Sequence, residues 1–134
     1  MNTLLVAGLE AKMTVFDMRT HNAKTGFASV TQTAHKSTVW CGAHLPQNRD
    51  VFATTGGNGS IYLWQYKYPA KRVAQDADGK DVGVPGELVE LNRAALGTQP
   101  ISTIDWSMDK LGLAVTSAFD QCIRVVIVTK LNSL

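Results

Sequence analysis

Short hydrophobic runs separated by turn residues recur along the whole chain. The runs are rich in Val, Ile, Thr and aromatic residues, which is the composition of β-strands. A helical period is hard to sustain anywhere except around residues 87–96. The pattern therefore predicts an all-β protein, built as a meander of short antiparallel strands. The predicted strands are residues 4–9, 13–19, 27–33, 39–45, 51–55, 61–68, 88–92, 101–107, 111–117 and 122–130.

A glycine-rich stretch, TTGGNGS, lies between two of these strands at residues 54–60. A phosphate-binding loop of the Walker type needs a lysine followed by Ser or Thr, and then a helix whose N–H groups face the phosphate. This stretch has no lysine, and IYLWQYKY after it alternates as a strand does. Gly-Asn-Gly instead supplies the positive φ angles of a hairpin turn. The stretch is predicted to be a hairpin.

The same hairpin plan occurs three times, in LLVAGLEAKMTVFD, VFATTGGNGSIYLWQ and GLAVTSAFDQCIRVVIV. Each copy has an apolar strand that ends in small residues, a polar turn, and a second strand. A bulky residue stands near the end of each second strand, at Phe16, Trp64 and Val126. A polar insertion at about 69–87, predicted to be a loop, lengthens one interval. Without most of it, the period would be the roughly 40 to 50 residues of a propeller blade.

These residues resemble the WD-repeat β-propeller family. In that family a blade has four strands, a histidine precedes the first strand, and a Trp-Asp pair closes the third. His35, in TAHKSTVW, stands at the place of the histidine, and Trp64 at the place of the tryptophan. VFDMR resembles the closing pair, with Phe16 in place of tryptophan and Asp17 matching the aspartate. Gln65 replaces the aspartate after Trp64.

The resemblance also implies a buried polar relay within a blade. In such a relay a histidine, a strand hydroxyl, a turn carboxylate and the indole N–H satisfy one another. The turn position falls on Asn58, whose amide oxygen can accept from an imidazole N–H, and the hydroxyl position falls on Gly56. The relay of this blade is therefore expected to be incomplete. In the last blade Asp120 keeps the turn carboxylate, and Gln99 stands at the place of the histidine.

Six segments together resemble the end of WD-repeat assembly factors for axonemal dyneins. They are VFDMRT, GFASV, AHKSTVW, HLPQNRD, QPISTIDWS and SAFDQCIRVVIVTKL. This resemblance implies a non-enzymatic, cytoplasmic interaction scaffold. It implies a prefoldin-like and RuvB-like co-chaperone complex and axonemal dynein chains as protein partners. The alternative is another WD-repeat adaptor, either a ubiquitin-ligase substrate receptor or a signalling scaffold.

The resemblance further implies that residues 1–134 are the C-terminal portion of a single propeller. They would supply about two and a half to three four-stranded antiparallel blades, opening on the second strand of one blade and ending after the third strand of another. Propellers of this family close with about seven blades. Met1 is therefore not expected to be the native beginning of a domain.

Composition and charge narrow the classes of function. Hydrophobic residues make up 45% of the chain and charged residues 18%, which is typical of a folded domain. The net charge of +2 is too small and too scattered to indicate binding to nucleic acid or to an anionic membrane. The chain has no run of about 18 apolar residues, so no membrane span is predicted. Cys41 and Cys122 are predicted to be reduced core thiols.

No arrangement of residues predicts catalysis or metal binding. The histidines form no HExxH motif, and no Ser/His/Asp set can be assigned by position. Asp76, Asp78 and Glu87 fall at positions of a calcium loop, but Lys80 stands at a ligand position and Asp81 at the glycine position. We therefore predict no catalytic residue, no cofactor and no metal. A hydrolase or oxidoreductase on a β scaffold is disfavoured for the same reason.

The tryptophans and the turn residues have different predicted roles. Trp40, Trp64 and Trp106 lie in strands with apolar neighbours and are predicted to pack in the core. Polar residues in turns would lie on one face of a propeller, where a rigid sheet holds them for binding. The predicted partner contacts are Lys36, Ser37, Asp120 and Gln121.

Overall fold

The computed structural model describes residues 3–22, 26–71, 73–75 and 77–134, without the side chains of residues 21 and 22. These ranges contain twelve β-strands and one short 3-10 helix, Leu131–Ser133. The strands are β1 (Thr3–Ala7), β2 (Lys12–Asn22), β3 (Gly26–Thr33), β4 (Val39–Leu45), β5 (Asn48–Gly56), β6 (Ser60–Lys67), β7 (Val73–Gln75), β8 (Asp81–Gly83), β9 (Glu87–Ala95), β10 (Ile101–Trp106), β11 (Leu113–Ala118) and β12 (Ile123–Ile127). Every predicted strand is present.

Three antiparallel meanders form the body of the molecule. The first blade is β1-β2-β3, the second is β4-β5-β6-β9, and the third is β10-β11-β12. Neighbouring strands within each sheet are antiparallel and are joined by short turns, except that the insertion lies between β6 and β9. The predicted fold class, an all-β piece of a propeller, is confirmed. The ten strands of these sheets correspond to two and a half four-stranded blades.

The glycine-rich stretch forms the predicted hairpin between β5 and β6. Thr55 lies opposite Ile61, and the amide of Gly59 donates to the carbonyl of Gly56 at 3.2 Å. Gly59 has a φ of 84°, and a β-carbon there would collide with the carbonyl of Gly97. A glycine is therefore required both by the turn and by the neighbouring loop.

Two apolar layers hold the three blades together. Alternate residues of β6 face opposite sides of the sheet, so this strand contributes to both layers. Tyr62 and Trp64 pack towards the first blade, and Leu63 packs towards the third. Each large side chain buried in this way contributes about 1.5–3 kcal/mol. The first layer also contains Met13, Val15, Val39, Phe52, Tyr66 and Leu88, and the second contains Leu45, Val51, Ile61, Ile104, Trp106 and Leu131.

The predicted loop insertion is not a loop throughout. Within it, β7 and β8 pair as an antiparallel hairpin. The hairpin packs on the first blade, since β8 contacts β2 and β3. A β-carbon at Gly83 would lie 2.6 Å from the hydroxyl oxygen of Thr20 and 2.8 Å from Cβ of Ala28. The small residue at this position therefore lets the insertion lie directly against the sheet, and the prediction of a loop is corrected to a loop that contains a short hairpin.

Candidate functional site

A buried hydrogen-bonded relay lies within the second blade. Nε2 of His35 is 2.8 Å from the hydroxyl oxygen of Thr54, and the indole N–H of Trp64 donates to the same oxygen at 2.9 Å. The three side chains are buried, and the ring of Tyr62 lies 4.3 Å from that of His35. Burial lowers the pKa of His35 to about 4. The imidazole is therefore neutral at neutral pH, and the relay carries no charge.

The relay differs from the prediction in two of its members. Its hydroxyl belongs to Thr54, because Thr54 and Trp64 lie on the same face of the β5–β6 pair. Gly56 instead makes room for the imidazole, since a β-carbon there would collide with Nδ1 of His35. The oxygen of Asn58 accepts from the amide of Ser60 at 3.3 Å, and Nδ1 of His35 has no partner within the described chain. The expected bond between Asn58 and His35 is therefore absent.

Phe16 and Asp17 lie in β2, in the first blade. Phe16 is half-buried and lies opposite Leu4 and Ser29 in the register. Asp17 is fully buried, and its Oδ1 accepts from the backbone amide of Arg19 at 3.1 Å. The guanidinium of Arg19 lies 3.6 Å from the same oxygen. The carboxylate of Asp17 thus stabilises its own turn.

An ion pair occupies the turn of the third blade. Oδ2 of Asp120 accepts from Nη2 of Arg124 at 2.7 Å, and Oδ1 accepts from the amide of Cys122 at 3.1 Å. The hydrogen bond from Arg124 lowers the pKa of the Asp120 carboxyl. Gln121 has a φ of 65°, a left-handed conformation that is uncommon outside glycine. The carboxylate of Asp120 therefore stabilises this turn.

Five turns form one continuous face at a single end of the strands, which we call the turn face. It consists of residues 8–11, 34–38, 57–59, 96–100 and 118–122. Backbone hydrogen bonds join neighbouring turns: the amide of Val39 donates to Gly8 at 3.1 Å, that of Leu96 to Gly59 at 2.9 Å, and that of Phe119 to Pro100 at 2.9 Å. Such bonds hold the turns in fixed relative positions.

All four predicted contact residues lie on the turn face, but their side chains differ in exposure to solvent. Lys36 and Gln121 are exposed. Ser37 is half-buried, and its hydroxyl lies beside Gly57, where a β-carbon would be 3.0 Å away. Asp120 is half-buried and already engaged by Arg124. Their role in binding a partner stays a prediction.

Sequence reasoning missed an exposed aromatic pair, formed by Phe119 on the turn face and Trp40 at the start of β4. Trp64 and Trp106 are buried, as predicted, whereas Trp40 is 44% exposed. Its ring meets that of Phe119 edge to face, with centroids 5.0 Å apart. The reason is a bulge in β4: Val39 pairs with Gly56 and Cys41 with Thr55, so Trp40 has no partner in the register. A bulge redirects a side chain away from the alternation of its strand.

The described ranges also contain both cysteines and most of the calcium-like pattern. No group of three or more His, Cys, Asp or Glu side chains there is placed to hold a metal ion. Asp76, which belongs to the calcium-like pattern, lies outside the described residues. Cys41 packs against the second apolar layer, but Cys122 is exposed, so it is not a core thiol. None of the described segments is a helix with the length and apolarity needed to cross a membrane.

Comparison with known proteins found similarity along the whole chain. No protein-family model matches it. Proteins named dynein axonemal assembly factor 10 are 58% identical over 134 residues in Xenopus laevis, 54% identical over 134 residues in Homo sapiens, and 49% identical over 135 residues in Chlamydomonas reinhardtii. Each match covers 100% of this chain. The chain spans only 37–38% of the length of these relatives.

Among solved structures, a chain in the crystal structure of the mitotic checkpoint complex is similar to this one. The TM-score is 0.42 at 17% sequence identity, and the match covers 95% of this chain and 46% of that chain. The sequence identity is therefore much higher to the proteins named dynein axonemal assembly factor 10, of which the chain spans somewhat more than a third.

Proposed function

We propose that this chain is part of a non-enzymatic protein-interaction scaffold that acts in the assembly of axonemal dyneins. The observation that carries the proposal is the identity of 49–58% across the whole chain to proteins named dynein axonemal assembly factor 10. Because the identity is this high and each match covers the whole chain, we expect the chain to share the role of the corresponding part of those proteins.

The geometry of the turn face supports binding. Loops held by a rigid sheet are suited to recognition, because little conformational entropy is lost when a partner binds. The apolar layers and the relay provide that rigidity beneath the turns. The titratable groups with the clearest structural partners, His35 and Asp120, are engaged in stabilising contacts. We therefore assign them structural roles.

The finer parts of the proposal concern partners and place. We propose that residues 1–134 form the C-terminal portion of a single propeller. We propose a prefoldin-like and RuvB-like co-chaperone complex and axonemal dynein chains as partners, and the cytoplasm as the place of action. The resemblance of the six segments described above supports each of these statements.

The test is affinity purification of the tagged protein from ciliated cells, followed by mass spectrometry. Recovery of axonemal dynein chains together with co-chaperone subunits supports the proposal. Recovery of cullin adaptors or of signalling components in their place would support the alternative WD-repeat adaptor. An unrelated propeller protein expressed at the same level is the control for non-specific capture.

A further inference from the structure

The last strand of the first blade, β3, has one edge without a neighbouring strand. Among the described strands of its sheet, β3 pairs with β2 alone. The β7–β8 hairpin lies near Ala28, on the buried face of β3, and belongs to a separate sheet. The backbone N–H and C=O groups along the outer edge of β3 are therefore available to pair with another strand.

The equivalent strand of the second blade, β9, carries charged side chains where β3 has none. The registers make Ser29 equivalent to Glu90, and Thr31 equivalent to Arg93. Glu90 and Arg93 form an ion pair with each other at 2.8 Å. Charged side chains on an outer strand discourage its pairing with another chain. The edge of β9 is protected in this way, and the edge of β3 is not.

The composition of β3 is that of a strand suited to pairing. Its sequence, GFASVTQT, contains no charged residue and no proline. Phe, Val and Thr are residues that β-sheets favour. On the solvent face, the hydroxyl of Thr31 lies 2.8 Å from that of Thr14 on β2, so hydroxyl side chains already form cross-strand pairs there. Nothing in the side chains of β3 therefore opposes the addition of a strand.

An antiparallel copy of β3 is complementary to β3 itself. Opposite residues must face the same side of a sheet, so a symmetric pair of identical strands is centred on a residue. Centring the pair on Val30 allows all of residues 27–33 to pair, and it sets Ser29 opposite Thr31 of the second copy. Hydroxyl pairs are among the favourable cross-strand pairs, whereas like charges in opposite positions are destabilising. Two copies of β3 bring no like charges together.

We propose that β3 pairs antiparallel with β3 of a second copy of this chain, about a two-fold axis at Val30. The two first blades then form one continuous sheet, and both copies use the same surface. The contact runs along the side of the strands, so the turn face of each copy stays accessible. Pairing along one strand is a small interface, which is typical of weak and reversible complexes. The inference goes beyond the proposed function and does not depend on it.

Sedimentation velocity of the unaltered 134-residue chain tests for the dimer. We expect monomer and dimer in reversible equilibrium, with the dimer fraction rising as the protein concentration is raised. A chain that stays monomeric at every concentration contradicts the proposal.

A charge exchange on β3 tests the register. Ser29→Lys combined with Thr31→Lys sets lysine opposite lysine twice across the two-fold axis, and should weaken dimerisation by at least about tenfold. Ser29→Lys combined with Thr31→Glu sets lysine opposite glutamate twice and should restore it. The two variants change the same positions, so circular dichroism should show the same fold in both. Equal weakening in both variants would overturn the proposed pairing.

The exposed face of the third blade supplies the control. Ile123 and Val125 on β12 are 75% and 70% exposed, and this apolar surface is a second route by which copies could associate. Ile123→Lys combined with Val125→Lys should leave the dimer unchanged. Loss of association in this variant, with association kept in the double-lysine variant of β3, would show that the copies meet through the third blade and would contradict the proposal.

Two differently tagged copies expressed in the same ciliated cells extend the test. The unaltered copies should co-purify, the double-lysine variant of β3 should lose this, and the lysine–glutamate variant should regain it. Co-purification of the double-lysine variant at the unaltered level would refute pairing through β3 in the cell. The readout involves only copies of this chain, so failure of the proposed function would leave it unaffected.

Discussion

The second and third blades have the same strand plan but are stabilised differently. Their registers make Thr54 equivalent to Thr116, since each lies four residues before the residue that leads the turn, Asn58 or Asp120. In the second blade Thr54 joins His35 and Trp64 in a buried relay. In the third blade the hydroxyl of Thr116 reaches only the carbonyl of Arg124, at 3.5 Å.

The residues equivalent to Trp64 and Tyr62 show the same contrast. In the third blade, Val126 is equivalent to Trp64 and Arg124 is equivalent to Tyr62. Arg124 extends to the turn and pairs with Asp120 instead of lying over a histidine. Buried polar bonds are costly to break, whereas an ion pair near solvent contributes little because water screens it. The comparison teaches that one backbone plan tolerates either arrangement, provided that the apolar layers between blades remain filled.

Removing the indole from the second blade should have the largest effect. Trp64→Ala leaves a cavity in the first apolar layer and frees the hydroxyl of Thr54, so we expect a loss of about 3–5 kcal/mol in the free energy of unfolding. Val126→Ala, at the equivalent position of the half-buried β12, should cost about 1 kcal/mol or less. Urea unfolding followed by circular dichroism measures both. Equal losses would contradict the contrast between the blades.

Acid should weaken the second blade through His35. Its pKa is about 4 in the folded chain and about 6.5 when unfolded, so the unfolded state takes up the proton first as the pH falls. Protonation of His35 leaves the free energy of unfolding unchanged above pH 6.5 and lowers it by about 3 kcal/mol between pH 6.5 and 4. It has no further effect below pH 4.

The measurement is the urea midpoint at several pH values for the unaltered chain and for His35→Gln. The difference between the two should shrink as the pH falls, because the carboxylates titrate alike in both. A difference that stays constant from pH 7 to pH 4 would show that His35 does not titrate in this way.

The two threonines provide the most closely matched pair of substitutions. Thr54→Val removes the acceptor of Trp64 and the partner of His35, which leaves two buried polar groups unsatisfied and should cost about 2–3 kcal/mol. Thr116→Val removes one long hydrogen bond and should cost about 0.5 kcal/mol. Both residues are buried, so a similar cost for the two would mean that burial of the methyl groups decides stability, and not the relay.

Substitutions in the third-blade ion pair should have the smallest effect. Asp120→Asn and Arg124→Gln remove the charge of one partner each and keep a hydrogen-bonding group. We expect the urea midpoint to move less than in any variant above, and to become insensitive to added salt. Urea unfolding at low and high salt checks this. A shift as large as that of Thr54→Val would mean that the ion pair stabilises the fold as much as the relay does.

Sequence patterns were sufficient for most of the architecture. Each predicted strand has a counterpart, because alternation and turn residues are local properties. His35 and Trp64 also occupy the predicted places. The hydroxyl comes from Thr54 and not from Gly56, which is two residues further along the same face of β5, because alternation predicts the face of a side chain but not its level along the strand.

Two further features could not be predicted from local pattern. Trp40 resembles a core tryptophan in its strand, and only the bulge beside Gly56 directs it outward. The β7–β8 hairpin has a polar sequence, and its order comes from contact of Gly83 with Thr20 and Ala28, residues more than fifty positions earlier in the chain. Such contacts are tertiary, and composition carries no signal for them.

Site-specific photocrosslinking tests the central claim most directly. A benzophenone amino acid is placed at Gln121 on the turn face and, separately, at Met108 at the opposite end of the strands, in the protein expressed in ciliated cells. We predict that Gln121 crosslinks to dynein chains or co-chaperone subunits and that Met108 does not. Crosslinks from Met108 with none from Gln121 would contradict the assignment of the turn face as the binding surface.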